Sequence, residues 1–149
     1  MSMPKVCVVG DGGWGTALAL LLRSHGCAVT LWGPFEESLR AVRETGENAK
    51  FLPGVRLPAD LVWTSDPAAA ARDAGVVVLA SPSRYYAGVC ARFRGLLPPQ
   101  ADLVSVAKGL CETTHRRMTQ VAADALGVPE VAALSGPSHA EEVARGIPT

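Results

Sequence analysis

The stretch of sequence that decides the fold of this chain is Lys5-Val-Cys-Val-Val-Gly-Asp-Gly-Gly-Trp-Gly-Thr-Ala-Leu-Ala-Leu-Leu-Leu22. It opens with a short apolar run, Val6 to Val9, which has the length and the β-branched residues typical of a buried strand. A glycine-rich turn interrupts the run, and an alanine- and leucine-rich segment suited to a helix follows. The order of strand, glycine turn and helix makes a G-x-G-x-x-G match informative.

The three glycines of this match each have a predicted role. Gly10 would allow the tight turn, Gly12 would let the main chain approach a pyrophosphate, and Gly15 would let helix and strand pack closely. Unpaired N–H groups at the helix start and the positive end of its dipole would then hold the phosphates. A plain glycine turn between a strand and a helix is the alternative. We favour the dinucleotide site.

Length and charge set the outer limits. The chain has 149 residues, which is enough for one domain with a real core, and we assign 1–149 to a single dinucleotide-binding domain. Lys plus Arg and Asp plus Glu each number 14, so nothing indicates attraction to nucleic acid or to an anionic membrane. No apolar run reaches the length of a membrane span, and none is predicted.

The four cysteines indicate a reducing compartment. They are scattered along the chain, form no C-x-x-C motif and have no metal-ligand spacing, so we predict no metal site. We expect Cys7 and Cys27, in or beside predicted strands, to act as small buried hydrophobic residues. The N-terminus leads straight into the first strand without a separate cleavable signal. We therefore expect reduced thiols in a cytoplasmic protein.

Strand and helix patterns alternate along the rest of the chain. The predicted strands are 6–9, 28–32, 61–64, 76–80, 103–107 and 131–134. The predicted helices begin after the glycine turn and then cover 35–45, 67–73, 85–93, 114–126 and 139–145, with an irregular segment at 46–58. Asp66-Pro67 fits an N-cap followed by proline at the first helical position. This alternation predicts an α/β fold, a Rossmann-type doubly wound parallel sheet.

Ligands of such a sheet bind outside the carboxyl ends of the strands, near the switch point. The residues that follow the predicted strands are small, polar and rich in glycine: the glycine turn, Trp32-Gly-Pro-Phe35, Ser81-Pro-Ser83, Lys108-Gly109 and Ser135-Gly-Pro-Ser138. Lys108 is the cation of this set. It could pair with a phosphate or polarise a carbonyl oxygen, or it could be an ordinary solvated lysine.

These segments resemble a known family. Gly-Asp-Gly-Gly-Trp-Gly-Thr-Ala, Asn48-x-x-Phe-Leu-Pro-Gly54, Ser81-Pro-Ser83, Lys108-Gly109 and Leu134-Ser-Gly-Pro-Ser-His-Ala-Glu-Glu-Val143 occur in the order found in NAD(P)-dependent glycerol-3-phosphate dehydrogenase. The resemblance covers the whole chain. Its most specific part is the Ser-Gly-Pro-Ser block with the Ala-Glu-Glu that follows, because the glycine motif alone is shared with other dehydrogenases.

The resemblance assigns roles to individual residues. It implies cofactor contacts along the glycine loop, after the second strand and in two later loops, at Gly10, Gly12, Gly13, Trp14, Gly15, Pro34, Lys108 and Ala140. It implies substrate contacts for sn-glycerol 3-phosphate at Lys108, Gly136 and Ser138. The reaction would be reversible hydride transfer between NAD(P)H and dihydroxyacetone phosphate, giving sn-glycerol 3-phosphate for glycerophospholipid synthesis.

The family continues beyond the point at which this chain stops, Ile147-Pro-Thr149. Its members carry a C-terminal all-helical domain with the catalytic lysine, further substrate contacts and the surface of a homodimer. We therefore expect this chain alone to bind cofactor with little or no turnover. A fragment or truncated chain explains the ending better than a complete enzyme does.

Three departures from the family pattern bear on the cofactor. Asp11 puts a negative charge near the expected pyrophosphate, which should weaken binding unless the side chain turns outward. Pro34 stands where the family often has the His or Arg that suits the 2′-phosphate of NADP. The cofactor is thus NAD or NADP, and the missing cation favours NAD. His139 replaces a usual aromatic residue. A histidine at this position could reach the cleft, but we expect it to pack at a helix start.

Two other functions remain open. One is a non-catalytic dinucleotide-binding module. The other is a related dehydrogenase of another hydroxy acid or alcohol, because the fold and the glycine loop are widely shared. A requirement for a phosphorylated substrate would separate the second from the glycerol-phosphate assignment.

Overall fold

Strands and helices alternate through residues 3–148, the part of the chain that the computed structural model describes. The strands are β1 (Lys5–Val9), β2 (Ala28–Trp32), β3 (Val62–Thr64), β4 (Val76–Leu79), β5 (Asp102–Ser105) and β6 (Ala132–Ala133). The helices are α1 (Gly13–Ser24), α2 (Glu36–Thr45), α3 (Pro67–Ala71), α4 (Tyr86–Ala91), α5 (Met118–Leu126) and α6 (Ala140–Ala144). A 3₁₀ turn, Ser83–Tyr85, leads into α4.

All strand pairs of the sheet are parallel, and the strand order is β3-β2-β1-β4-β5-β6. The chain builds outward from β1 to β3 on one side, then crosses back to β4 and builds outward on the other. The switch point therefore lies between β1 and β4, whose registered pairs run from Val6 with Val76 to Val9 with Leu79. The glycine loop follows β1 at this point, which is where doubly wound sheets bind their ligands. The predicted fold class is confirmed.

Alternating side chains of the central strands fill two separate hydrophobic layers. Val6 and Val8 belong to the layer that includes Leu18 and Ala19 of α1. Cys7 and Val9 point to the opposite face and join Tyr86 and Phe93. Residues 6–9 are all buried because both faces of a central parallel strand are covered. Cys7 and Cys27 are buried within these layers, as predicted.

The helix predicted at 114–126 begins four residues later than expected, at Met118. His115 has a φ of 54°, outside the range of a right-handed helix, and its N–H donates to the Cys111 carbonyl in a closed turn. Arg117 is the extended N-cap residue, and its N–H donates to the side chain of Gln120. This local cap fixes the helix start at Met118. The turn before it is closed by the hydrogen bond between His115 and Cys111 and is not helical.

Smaller differences concern the ends of elements. β5 begins at Asp102 and ends at Ser105, against the predicted 103–107, and β6 is only two residues long. The N-cap assigned to Asp66 is confirmed, since its carboxylate accepts a hydrogen bond of 2.9 Å from the Ala68 N–H. Within residues 3–148, no helix has the length and apolar character needed to cross a bilayer.

Candidate functional site

Two glycines of the loop after β1 are required by their surroundings. Gly10 has a φ of 128°, and a Cβ at this position would lie 2.8 Å from the carbonyl oxygen of Ala80. A Cβ at Gly15 would lie 2.1 Å from the carbonyl oxygen of Gly10. Both contacts are with backbone, which cannot move aside as a flexible side chain can. The loop therefore packs tightly against the end of β4, in agreement with the predicted roles of Gly10 and Gly15.

Gly12 differs, because a Cβ there would meet no atom of the described residues within 4 Å. It is the extended N-cap residue of α1, so the main chain at this point borders open space. The first N–H groups of a helix have no partner inside the helix and favour an anion. Open space in front of such donors fits a pyrophosphate. The glycine loop can thus accept a dinucleotide.

Asn48 holds the glycine loop from the side, although it lies far away in sequence. Its Nδ2 donates to the Asp11 carbonyl oxygen over 2.8 Å and to Thr16 Oγ1 over 2.9 Å, and the side chain is buried. Thr16 Oγ1 in turn donates to the Gly12 carbonyl oxygen over 2.9 Å. A network of buried hydrogen bonds therefore fixes the loop. The motif containing Asn48 was visible in the sequence only through the family resemblance, and this role was missed.

The segment after Asn48 covers one side of the loop. A Cβ at Gly13 would lie 2.5 Å from the carbonyl oxygen of Phe51, so residue 13 must be glycine. The two apolar side chains of this segment differ in burial. Leu52 is fully buried, whereas the Phe51 ring is 42% exposed, because the backbone of Phe51 and not its side chain faces the loop.

Four of the predicted site residues line one cleft of about 370 Å³: Trp14, Lys108, Gly136 and Ser138. The Lys108 Nζ donates to the Ser138 carbonyl oxygen over 3.3 Å and lies 6.0 Å from the centre of the Trp14 ring. The cleft thus joins the start of α1 to the loops after β5 and β6. Its one ammonium group lies exposed at the end of β5, where it can meet an anionic ligand.

Ala140 and Pro34 lie on either side of this arrangement. The Ala140 Cβ is 3.7 Å from the position that a Cβ of Gly13 would take, so the start of α6 borders the glycine loop. Pro34 follows Gly33 at the carboxyl end of β2, and two strands, β1 and β4, lie between β2 and the strand that Lys108 follows, β5. The structure therefore groups Ala140 with the loop and leaves Pro34 at a different part of the same sheet edge.

The Asp11 carboxylate lies against Gly33. A Cβ at residue 33 would be 2.7 Å from both Cγ and Oδ2 of Asp11, and 2.8 Å from a methyl carbon of Leu39. The side chain is thus directed to the end of β2. Burial raises the pKa of this carboxyl above its ordinary value, while its own backbone N–H and the charge of Lys50 act in the opposite direction.

His139 does not pack as expected. It is the extended N-cap residue of α6, and its side chain is exposed. The helix it precedes has only five residues and packs on α1 through its other positions, so no core position is offered to residue 139. The prediction of a packing role at the helix start is therefore wrong.

Cys111 has a perturbed thiol that the sequence did not reveal. Hydrogen bonds from the hydroxyl groups of Thr113 and Thr114 and from their backbone N–H groups lower its pKa from 9.0 to about 6. Burial instead raises the pKa of Cys7 and of Cys90 to about 12. Within residues 3–148, no group of three His, Cys, Asp or Glu side chains could hold a metal ion.

The strand order, the glycine loop at the switch point and the open helix start define a class, the dinucleotide-binding Rossmann domains. Comparison with known proteins places the chain more closely. The family model described as NAD-dependent glycerol-3-phosphate dehydrogenase N-terminus matches residues 5–149. The chain belongs to this family, as the N-terminal NAD-binding domain.

Individual relatives agree with this assignment. The chain is 48% identical over 150 residues to the glycerol-3-phosphate dehydrogenase [NAD(P)+] of Syntrophomonas wolfei, covering 99% of the chain and 44% of that protein. It is 47% identical to the enzyme of the same name from Moorella thermoacetica, covering 97% of the chain and 43% of that protein. The chain therefore spans less than half the length of these relatives.

A solved structure supports the fold in the same way. The crystal structure of glycerol-3-phosphate dehydrogenase from Coxiella burnetii superposes with a TM-score of 0.90 at 31% identity. The match covers 100% of this chain and 46% of that one. The chain thus spans less than half the length of that protein as well.

Proposed function

We propose that this chain is the cofactor-binding part of an NAD(P)-dependent glycerol-3-phosphate dehydrogenase. The reaction is reversible hydride transfer between NAD(P)H and dihydroxyacetone phosphate, giving sn-glycerol 3-phosphate. The observation that carries the proposal is the single cleft in which Lys108 meets Ser138 and Trp14 beside the glycine loop. In it, phosphate-binding backbone and a cation for the substrate lie next to each other.

The residues of the chain divide the work between them. Gly12 and Gly13 at the start of α1 bind the pyrophosphate through backbone N–H groups, and Ala140 closes the loop from the side of α6. The bound nicotinamide supplies or accepts the hydride at its C4. Lys108 binds the phosphorylated substrate by its charge, and Gly136 and Ser138 line the same cleft as Trp14. Fixed positions of this kind are what hydride transfer needs.

The residues at the end of β2 bear on the adenosine half of the cofactor. In Rossmann domains an acidic residue at this end binds the ribose hydroxyls of NAD, and a cation binds the 2′-phosphate of NADP. Pro34 offers no cation here. We propose NAD as the preferred cofactor.

Turnover needs more than this chain in our proposal. The catalytic lysine and the homodimer surface belong to the C-terminal all-helical domain of the family, and the chain alone binds cofactor without turnover. The product would serve glycerophospholipid synthesis in the cytoplasm. These assignments follow the family resemblance.

Cofactor binding is tested on the purified chain by titration with NADH and with NADPH, following tryptophan emission. Trp14 lines the cleft, whereas Trp32 and Trp63 are buried, so bound nicotinamide should quench Trp14. The Trp14→Phe variant separates its signal from that of the other two. Saturable quenching supports the proposal, and no saturable response with either cofactor, confirmed by calorimetry, contradicts it.

Substrate choice is tested in a chimera, in which the part of the Syntrophomonas wolfei relative beyond the matched region follows residue 149. We expect NADH oxidation with dihydroxyacetone phosphate and almost none with dihydroxyacetone, because Lys108 has no anion to bind in the latter. Lys108→Met should remove the activity, and it should weaken NADH binding to a smaller extent because Lys108 is also assigned a cofactor contact. Equal rates with both ketones would favour a dehydrogenase of another alcohol.

A further inference from the structure

The carboxyl end of β2 lacks the acidic side chain that usually binds the adenosine ribose of a dinucleotide. In Rossmann domains an Asp or Glu about 20 residues after the glycine motif accepts a hydrogen bond from the ribose 2′-hydroxyl. In this chain that position falls on Gly33 and Pro34, which have no acidic group. The next acid, Glu36, is engaged elsewhere, since it pairs with Arg43 and accepts a hydrogen bond of 2.8 Å from Ser65.

A carboxylate from another part of the chain occupies the same end of β2. Asp11 reaches across from the glycine loop, and its Oδ2 lies 2.7 Å from where the Cβ of residue 33 would be. Any side chain at residue 33 would collide with Asp11 and with Leu39. Glycine at position 33 therefore leaves the space that the Asp11 side chain occupies. The acidic group at the end of β2 comes from the glycine loop and not from β2 itself.

The connection between the two strands fixes this placement. The Gly10 N–H donates to the Trp32 carbonyl oxygen over 2.9 Å, and Asn48 holds the Asp11 carbonyl oxygen. Backbone hydrogen bonds on both sides of the Asp11 side chain thus position it at the strand end. The side chain itself is only partly buried, so its carboxylate can still meet a ligand.

We propose that Asp11 is a specificity-determining residue for the cofactor. Its carboxylate accepts a hydrogen bond from a hydroxyl of the adenosine ribose of NAD and repels the 2′-phosphate of NADP. This inference rests on the proposed function, that the glycine loop binds a dinucleotide. The proposal also explains why an acidic residue is present in a loop that binds a pyrophosphate. The Asp11 carboxylate is directed at the ribose and not at the pyrophosphate.

Lys50 is the cation whose charge acts on the Asp11 carboxylate. It offers an alternative determinant of cofactor preference. Its charge lowers the pKa of Asp11, and its ammonium group lies 4.8 Å from the centre of the Phe51 ring. If Lys50 were to bind the 2′-phosphate, the site would prefer NADP in spite of Asp11. The test therefore includes both residues.

The experiment measures the dissociation constants of NADH and NADPH for the purified chain and three variants by tryptophan quenching. Asp11→Asn keeps the shape and removes the charge, and Lys50→Gln removes the rival cation. Glu36→Gln is the matched control, because Glu36 is an acid just beyond β2 that is already engaged with Arg43 and Ser65. We expect the wild type to prefer NADH. We expect Asp11→Asn to reduce this preference by about tenfold or more, the scale of one hydrogen bond to a charged group.

The other outcomes separate the two proposals. An unchanged preference in Asp11→Asn, or a wild type that prefers NADPH, overturns the role of Asp11 while cofactor binding stands. A change in Lys50→Gln without one in Asp11→Asn overturns it in favour of the lysine. Binding of neither cofactor by any of the four chains overturns the proposed function, and this inference with it.

A second measurement needs no variant. On the wild-type chain, 5′-AMP and adenosine 2′,5′-bisphosphate compete with NADH, and they differ only by the 2′-phosphate. We expect 5′-AMP to displace NADH at the lower concentration. Displacement at a lower concentration by the bisphosphate overturns the inference, whether or not the Asp11 variant folds.

Discussion

The glycines of the loop after β1 differ in the space that surrounds their missing Cβ atoms. Gly15 has backbone 2.1 Å from its missing Cβ, whereas Gly12 borders open space. Gly15 serves the packing of the chain, and in our proposal Gly12 serves a ligand. The motif in the sequence makes no such distinction, because both positions are simply glycine.

Gly15→Ala should therefore reduce the stability of the fold, and Gly12→Ala should reduce the affinity for NADH. Gly15→Ala forces a methyl group into the Gly10 carbonyl and should destabilise the fold by roughly 1–3 kcal/mol, as overpacking of a tight site does. Gly12→Ala should leave the thermal midpoint nearly unchanged and weaken NADH binding. Thermal unfolding and NADH titration of both variants check this. A Gly12→Ala chain with full NADH affinity would contradict the assignment of that space to the pyrophosphate.

Cys111 should react faster with iodoacetamide than any other cysteine at neutral pH. Its pKa of about 6 makes it a thiolate at pH 7, while Cys7 and Cys90, with pKa values of about 12, stay protonated. The rate should be constant above about pH 7 and fall as the pH drops below 6, since the thiolate is then lost. Mass spectrometry of peptides alkylated between pH 5 and 9 measures it.

Thr113→Val is the control for Cys111, because it removes the hydroxyl group that is the largest cause of the lowered pKa. The variant's rate should keep rising to a higher pH. A wild-type rate that still increases steeply from pH 8 to pH 9 would mean that the thiol has an ordinary pKa.

At the scale of elements, the connection between α2 and β3 is part of the site. It has no regular structure of its own, and yet it contributes the buried Asn48, the Phe51 carbonyl against Gly13 and the buried Leu52. The glycine loop is therefore held between β4 on one side and this connection on the other. A connection with an irregular sequence pattern thus rigidifies the glycine loop.

Asn48→Ala should weaken that support. It leaves the Asp11 carbonyl and the Thr16 hydroxyl without their donor, at a cost of about 1–3 kcal/mol in the free energy of unfolding. NADH affinity should fall as well, because the loop loses its fixed position. Urea unfolding and NADH titration measure the two effects. Glu44→Gln, an exposed change on α2, should alter neither, and an equal loss in both variants would contradict the bracing role.

At the scale of the whole molecule, the centre of the sheet and its β6 edge differ in how well they are covered. β1 is paired on both sides and lies under helices on both faces, and its residues 6–9 are at most 1% exposed. β6 is a two-residue edge strand, and both of its residues are exposed. The cleft with Lys108 lies beside this less protected edge.

Hydrogen exchange should follow this gradient. Amides of β1 and β4 should exchange most slowly, near the rate set by global unfolding, and those of β6 and α6 should exchange fastest among the regular elements. Mass spectrometry of peptic peptides at several exchange times measures the order. Equal protection of β1 and β6 would mean that the edge is covered, for example by a second copy of the chain.

The sequence by itself determined the elements and their class. Local patterns are enough for this: a buried run, a glycine turn and an apolar helix specify β1, the loop and α1, and the alternation that follows specifies a parallel sheet. It also singled out Lys108, Gly136 and Ser138 through the family resemblance, and the structure brings these three into one cleft with Trp14. The helix start at Met118 was missed because a short local turn competes with the helical pattern.

Only the tertiary structure decided which distant residues meet. Asn48 and Asp11 are separated by 37 residues, and nothing in their local sequence pairs them. The meeting of Asp11 with Gly33 depends on β1 and β2 lying side by side in parallel register, which places both strand ends at one edge. Periodicity reports which face of an element is buried, but it contains no information about what covers that face. Contacts across the sheet edge, on which the proposed phosphate and ribose sites depend, therefore emerge only when the strands are assembled.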